Sequence, residues 1–200
     1  MTYSAEKDVQ AGLFGAKMDN DFTAKLEFSL GAREQFDIRL LKRVISKCIQ
    51  VEKTDVETDK TGVDYIATLE GGAKIRIDAK AREKGASKYW KHGEVELALE
   101  IWSKCPNSCT NGKIGWTLSV KSDVDLILYT FDIADSDKYY LLPFQPLRMA
   151  FQKHGRNWVK EYGQKFQSSN GGEWKSSAVF VPAKTVIEAI TETYCGIATL

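Results

Sequence analysis

The fold is decided by residues 62–82, which read GVDYIATLEGGAKIRIDAKAR. Val63–Leu69 is rich in β-branched and aromatic side chains, and the Gly71-Gly72 pair is typical of a tight turn. Lys74–Arg82 then alternates strictly between polar and apolar residues, which is the period of a strand. The stretch therefore predicts a β-hairpin.

The alternation sorts the side chains of the second hairpin strand onto two faces. Apolar side chains occupy the face expected to meet the core: Ile75, Ile77, Ala79 and Ala81. Charged side chains share the other face: Lys74, Arg76, Asp78, Lys80 and Arg82. Asp78 and Lys80 are neighbours there, with Cα atoms roughly 7 Å apart. Asp64 opens the partner strand, and the turn can bring it towards Asp78.

Hydrophobic periodicity predicts further helices and strands before and after the hairpin. A helix is predicted over Arg33–Cys48, a short strand near Ile49–Glu52, and an alternating strand over Glu94–Trp102 that carries Glu96 and Glu100 on one face. The remaining predictions are strands at Val124–Asp132, Tyr139–Phe144 and Ala178–Pro182, a helix from Pro146 broken at Gly155, and a helix over Thr185–Thr193. This order predicts a single domain of the α/β (α+β) class, with a sheet flanked by helices.

Composition excludes several classes of protein. Apolar residues make up 43% and charged residues 28%, as in an ordinary globular protein, and the net charge is only +1. No apolar run is long enough to span a membrane and the first residues lack a secretory pattern, so a cytoplasmic location without a membrane partner is predicted. Neither a P-loop nor a GxGxxG motif occurs. Cys105 and Cys109 could form half of a zinc site, but two reduced cysteines are favoured.

Asp64, Asp78 and Lys80 are the residues to which a chemistry can be assigned. Hydrolysis of a phosphodiester needs hard oxygen ligands for Mg²⁺ or Mn²⁺ and a group that orients water and balances charge. Two carboxylates and a lysine on adjacent strands supply this minimal set. Periodicity alone favours the plainer alternative, a charged strand face that points into solvent.

A wider pattern resembles the PD-(D/E)XK nuclease superfamily. It combines an acid at a strand start, a hairpin, and the Asp78-Ala79-Lys80 motif on the next strand. Further blocks resemble a phage- or prophage-associated group of that superfamily: Leu99–Ser103, Gly115-Trp116, Asp123–Phe131 and Tyr140–Leu147. Val63 stands where the nominal motif has proline. The resemblance implies a restriction-endonuclease-like mixed sheet over residues 33–165, between an N-terminal extension, 1–28, and a C-terminal strand and helix, 166–200.

The resemblance also implies an activity, Mg²⁺- or Mn²⁺-dependent cleavage of DNA and less often of RNA. Asp64 and Asp78 match the motif acids, Lys80 the lysine, and Glu34 the glutamate that many members carry on the first helix. Glu100 is either a further metal ligand or a partner of Lys80. For Glu34, stabilisation of the helix N-terminus is an equally good explanation.

A basic strip follows the predicted centre. Residues 74–91 contain seven Lys or Arg and two acids, as phosphate binding requires. The residues predicted to contact nucleic acid are Lys74, Arg76, Arg82, Lys84, Lys88 and Lys91. Branched DNA or RNA as substrate and a homodimer stay open. The alternative of another class is a non-catalytic nucleic-acid- or protein-binding module on a nuclease scaffold.

Overall fold

The computed structural model describes residues 33–55, 61–82, 94–107, 111–120, 123–131, 138–168 and 175–197, and these ranges contain two β-sheets and three helices. The first half comprises α1 (33–44), β1 (Cys48–Lys53), β2 (Tyr65–Leu69), β3 (Lys74–Ala81) and β4 (Glu96–Lys104). The second half comprises β5 (Lys113–Ile114), a 3₁₀ turn (Trp116–Leu118), β6 (Leu126–Thr130), β7 (Tyr139–Pro143), α2 (Phe144–Tyr162), β8 (Gln164–Ser168), β9 (Lys175–Pro182) and α3 (Ala183–Ile197).

The first sheet is mixed and has the strand order β1-β2-β3-β6-β7. Its β3–β6 pair is parallel and its other pairs are antiparallel. The second sheet has the order β5-β4-β9-β8 and is antiparallel throughout. The predicted α+β class, with a mixed sheet flanked by helices, is confirmed.

The hairpin forms where the sequence predicts it. Tyr65 pairs with Ile77 and Thr68 with Lys74 across β2 and β3. Gly71 and Gly72 take φ values of +90° and +85°, which residues with a Cβ rarely adopt. The turn therefore fixes the register that brings the start of β2 beside the middle of β3.

Each face of the first sheet is covered by a separate apolar cluster. On one face, Leu41 and Ile45 from the α1 segment join Tyr65, Ile77 and Leu128. On the opposite face, side chains of β6 and β7 join a larger cluster with the second sheet, α2 and α3: Ile127, Tyr129, Leu142, Leu97, Leu99, Leu147, Val181 and Val186. On the charged face predicted for β3, Lys74 and Arg76 are exposed, Lys80 and Arg82 are half-buried, and Asp78 is buried.

The position of β4 bears on the prediction for Glu100, a further metal ligand or a partner of Lys80. The neighbour of β3 in the first sheet is β6, which pairs Asp78 with Ile127. The strand β4 instead pairs with β5 and β9 in the second sheet. The cause is pairing between segments distant in sequence, which a local pattern does not encode.

Two predicted element boundaries need correction. α2 is unbroken through Gly155, which is buried, and a Cβ there would lie 3.0 Å from a ring carbon of Phe151. The glycine thus allows close packing instead of ending the helix. α1 ends at residue 44 rather than at Cys48, and Lys47 takes a φ of 58° before β1 begins. Short strands also form in two segments whose Gly, Asn and Ser content is typical of loops: β5 and the end of β8.

Among the described residues, no helix is both long enough and apolar enough to cross a bilayer.

Candidate metal centre

Asp64 is held at the start of β2 by its own backbone. Its N–H donates to the Ile77 carbonyl at 2.9 Å, and its carbonyl accepts the Thr54 N–H at 2.9 Å. These bonds extend the strand pairing by one residue. The Asp64 side chain turns towards β3, where Oδ2 accepts the Ala79 N–H at 2.7 Å. The carboxylate is therefore fixed to the backbone between Asp78 and Lys80.

Asp78 lies on β3, the middle strand of the first sheet, and is only 4% exposed. Burial is the main cause that raises the pKa of Asp78 to about 7. The neighbouring Asp64 raises this pKa as well, whereas the ammonium of Lys80 opposes the rise. Asp64 and Asp78 thus lie together in surroundings that disfavour the charged form of Asp78.

Lys80 lies on the same face of β3, nearer to solvent. Its Nζ is 2.5 Å from Oδ1 of Asp78, and its side chain is 31% exposed. The same Nζ lies 5.8 Å from the centroid of the Trp116 ring. The ammonium is therefore held between a buried carboxylate and an aromatic face, and it remains accessible from outside.

Glu100 is engaged elsewhere, in the second sheet. Its Oε2 accepts hydrogen bonds from the Ser103 hydroxyl at 2.7 Å and from the Trp116 N–H at 3.1 Å. Across the described ranges, no three His, Cys, Asp or Glu side chains are grouped so that they could hold a metal ion. The structure brings Asp64 and Asp78 together, and it links Glu100 to Lys80 through Trp116.

Glu34 is likewise directed to another partner. One of its carboxylate oxygens, Oε2, is 3.1 Å from Nζ of Lys53 on the edge strand β1. Its side chain is 31% exposed. Its position on α1 is confirmed, whereas its expected role at the centre stays a prediction.

Asp37, one turn further along α1, is a buried acid that the sequence analysis missed. It is 3% exposed and accepts hydrogen bonds from Nε of Arg33 at 3.1 Å and from the Tyr65 hydroxyl at 3.4 Å. Burial raises the pKa of Asp37, Arg33 opposes the rise, and the charge of Asp64 adds to it. The available signal was its spacing, since Asp37 precedes Leu41 by one helical turn on the apolar stripe.

The predicted nucleic-acid contacts differ in their availability. Lys74 is exposed, whereas Arg76 binds Asp125 through two side-chain hydrogen bonds of 3.1 Å and lies 3.9 Å from Asp123. The guanidinium of Arg82 lies 4.8 Å from the ring centroid of Phe180 in the second sheet. Lys84, Lys88 and Lys91 lie outside the described residues, as does Cys109 of the predicted cysteine pair.

The donor set fits a hard divalent cation. Mg²⁺ is commonly held by one or two carboxylates, with water and phosphate oxygens completing its octahedron. Asp64 and Asp78 supply two carboxylates within one hairpin, and each has one oxygen engaged by Ala79 N–H or by Lys80. A dication would also relieve the mutual repulsion that contributes to the raised pKa of Asp78.

Comparison with known proteins identifies no protein that is similar to this chain. No protein-family model matches the chain, and neither a curated protein nor a solved structure is significantly similar to it.

Proposed function

We propose that this protein is a metal-dependent phosphodiesterase that acts on DNA, as an endonuclease or structure-specific nuclease of the PD-(D/E)XK type. The observation that carries the proposal is the convergence of Asp64 and the buried Asp78 beside Lys80. A solvated strand face would leave both acids exposed, whereas Asp78 is only 4% exposed. A buried pair of acids with a raised pKa is, in contrast, typical of functional sites.

Each member of the centre has a distinct role. Asp64 and Asp78 would hold Mg²⁺ or Mn²⁺ with their carboxylates, each of which has one oxygen engaged by the Ala79 N–H or by Lys80. When bound, the ion supplies a positive charge that offsets the charge developing on the phosphate. The ammonium of Lys80 orients the attacking water and donates hydrogen bonds to the same phosphate oxygens.

The substrate reaches the centre from the accessible side of Lys80. Lys74 is exposed on the same strand, and it provides a phosphate contact that carries no sequence information. Arg76 contributes less because Asp125 already neutralises its charge. The location that we propose for this activity is the cytoplasm, including that of a phage-infected or prophage-carrying bacterium.

A second candidate function is a non-catalytic binding module on the same scaffold. The observation that favours it is that only two carboxylates meet at the centre, while Glu34 and Glu100 are committed to Lys53, Ser103 and Trp116 within the described part of the chain. Such a module would bind nucleic acid or protein without cutting a phosphodiester.

The test is a cleavage assay on duplex, single-stranded and branched DNA and on RNA, with Mg²⁺, Mn²⁺ or EDTA. The wild type should cut at least one DNA in the presence of metal and none with EDTA. The variant Asp78→Asn should lose activity, whereas Asp123→Asn is a matched control because Asp123 lies at 73% exposure outside the centre.

Two results would reject the nuclease. One is cleavage by Asp78→Asn at the wild-type rate. The other is a wild type that binds DNA in a gel-shift assay but cuts none of the substrates with either metal, which is the outcome expected of the binding module.

A further inference from the structure

We propose that Trp116 is a positioning residue for the ammonium of Lys80, and that Glu100 acts on the centre by fixing Trp116. This inference rests on the proposed function, since Lys80 is assigned there to the reacting phosphate. It gives Glu100 a role different from the metal ligand that the sequence suggested.

The first step is the contact between Lys80 and Trp116. The Nζ atom lies 5.8 Å from the ring centroid, within the range of a cation–π interaction. Lysine side chains are long and lose much rotamer freedom when they are held in one place. The ring, together with Asp78 Oδ1 at 2.5 Å, restricts the ammonium to one region. If the Lys80 ammonium moves away from Asp78, its contact with the Trp116 ring still holds it.

The second step is the anchoring of Trp116 itself. The 3₁₀ turn that contains it spans only Trp116–Leu118 and gains no side-chain cap at its N-terminus. Its first N–H is satisfied instead by Oε2 of Glu100 at 3.1 Å, and Ser103 donates to the same oxygen at 2.7 Å. Glu100 therefore fixes the backbone from which the indole ring projects.

The third step is the close fit between this turn and β4. The Gly115 N–H donates to the Ile101 carbonyl at 2.8 Å. A Cβ on Gly115 would lie 2.4 Å from the Glu100 carbonyl oxygen. This oxygen belongs to the backbone, so moving it would cost energy. Trp116 also packs against the larger apolar cluster. The ring is thus held by the second sheet and presented to Lys80 of the first.

The test measures Lys80 directly, in metal-free protein. Pulse acetylation followed by mass spectrometry gives the rate at which the Lys80 amine is modified. Trp116→Leu should raise this rate by about two- to fivefold, the factor that a cation–π contact of ordinary strength corresponds to. Trp116→Phe keeps an aromatic face and should stay close to the wild type.

Two further variants separate positioning from packing. Leu118→Ala removes a side chain of the same 3₁₀ turn that packs on the same cluster, so it should lower the melting temperature without changing Lys80 modification. Glu100→Ala should raise Lys80 modification because Trp116 loses its anchor. Glu100→Gln keeps an acceptor oxygen and should behave like the wild type.

Steady-state cleavage provides the second readout. Trp116→Leu should lower kcat by a similar factor and leave KM unchanged, with recovery in Trp116→Phe. Unchanged Lys80 modification in both Trp116→Leu and Glu100→Ala would overturn the inference, even if Asp78→Asn abolishes cleavage. If the wild type cuts no DNA while Lys80 modification responds as described, the proposed function fails and the positioning of Lys80 by Trp116 stands.

Discussion

The Nζ atom of Lys80 lies 2.5 Å from Oδ1 of Asp78, and the Asp78 side chain is only 5% exposed. A buried carboxylate is thus balanced from its accessible side by one cation. Burial nevertheless dominates, because the pKa of Asp78 stays raised at about 7 despite this partner. Above pH 7 the ionised Asp78 therefore lowers the stability of the metal-free protein, as expected where a site is arranged for chemistry.

Asp78→Asn should stabilise the metal-free protein at pH 8. The pKa of Asp78 rises from 3.8 to about 7 on folding, so its favourable contribution is complete below pH 4 and is lost as pH rises through 7. Removing the ionisable group should raise the free energy of unfolding by about 2 kcal/mol at pH 8 and by little at pH 4.

Urea unfolding at several pH values measures this effect, and Asp123→Asn provides the control because its carboxylate is largely exposed. A stability of Asp78→Asn equal to or below that of the wild type at pH 8 would contradict the assigned burial of charge.

Lys80→Met should destabilise the protein, and more so at high pH. The substitution keeps an unbranched side chain but leaves Asp78 without its cation, so the pKa of Asp78 should rise further. Because Lys80 is 31% exposed, solvent screens part of the interaction, and the expected loss is about 1 kcal/mol at pH 8. Chemical unfolding at pH 5 and pH 8 tests this, and an equal loss at both values would argue against ionic coupling.

Asp37→Asn should weaken binding of Mn²⁺ more than Glu34→Gln does. Burial is the main cause that raises the pKa of Asp37, and the charge of Asp64 adds to the rise, so we expect Asp37 to be coupled to the centre, whereas Glu34 is paired with Lys53. Calorimetric titration with Mn²⁺ compares the two variants, and each removes one negative charge from the same helix. If Glu34→Gln loses more affinity for Mn²⁺ than Asp37→Asn does, then Glu34, which the sequence favours, is the helix acid that supports metal binding.

Gly115→Ala should destabilise the protein by about 2 kcal/mol, as overpacking of a close contact does. The added Cβ would meet the Glu100 carbonyl at 2.4 Å, so the 3₁₀ turn and β4 must separate. Thermal and urea unfolding measure the loss. Gly72→Ala serves as a control of another kind, because nothing lies near its Cβ and only its φ of +85° opposes the substitution. Wild-type stability of Gly115→Ala would show that the turn is not held as described.

The hairpin and its two acids were predictable from sequence because their determinants are local. A Gly-Gly turn fixes the register and strict alternation assigns the faces, so Asp64 was correctly expected near Asp78. Periodicity alone favours a charged face that points into solvent, and the burial of Asp78 depends on the distant strand β6 and the second sheet.

The other expected residues of the site depend on contacts that no local pattern encodes. The predicted strand does contain Glu100, but its partner Trp116 comes from the turn after β5, and β4 pairs with β9. The sequence does not single out Asp37, because an acid within the apolar stripe of a helix is not expected to be buried. Its hydrogen bond with Tyr65 explains the burial. Gly155 was interpreted as a helix break because only the neighbouring Phe151 ring explains it.

Anomalous diffraction from crystals of the wild type and of Asp78→Asn soaked in Mn²⁺ shows whether Asp64 and Asp78 bind a metal ion. We expect one manganese peak between the carboxylates of Asp64 and Asp78 in the wild type, and no peak there in the variant. A wild-type crystal with no peak at these carboxylates, or with manganese bound at Glu100 instead, would contradict the account.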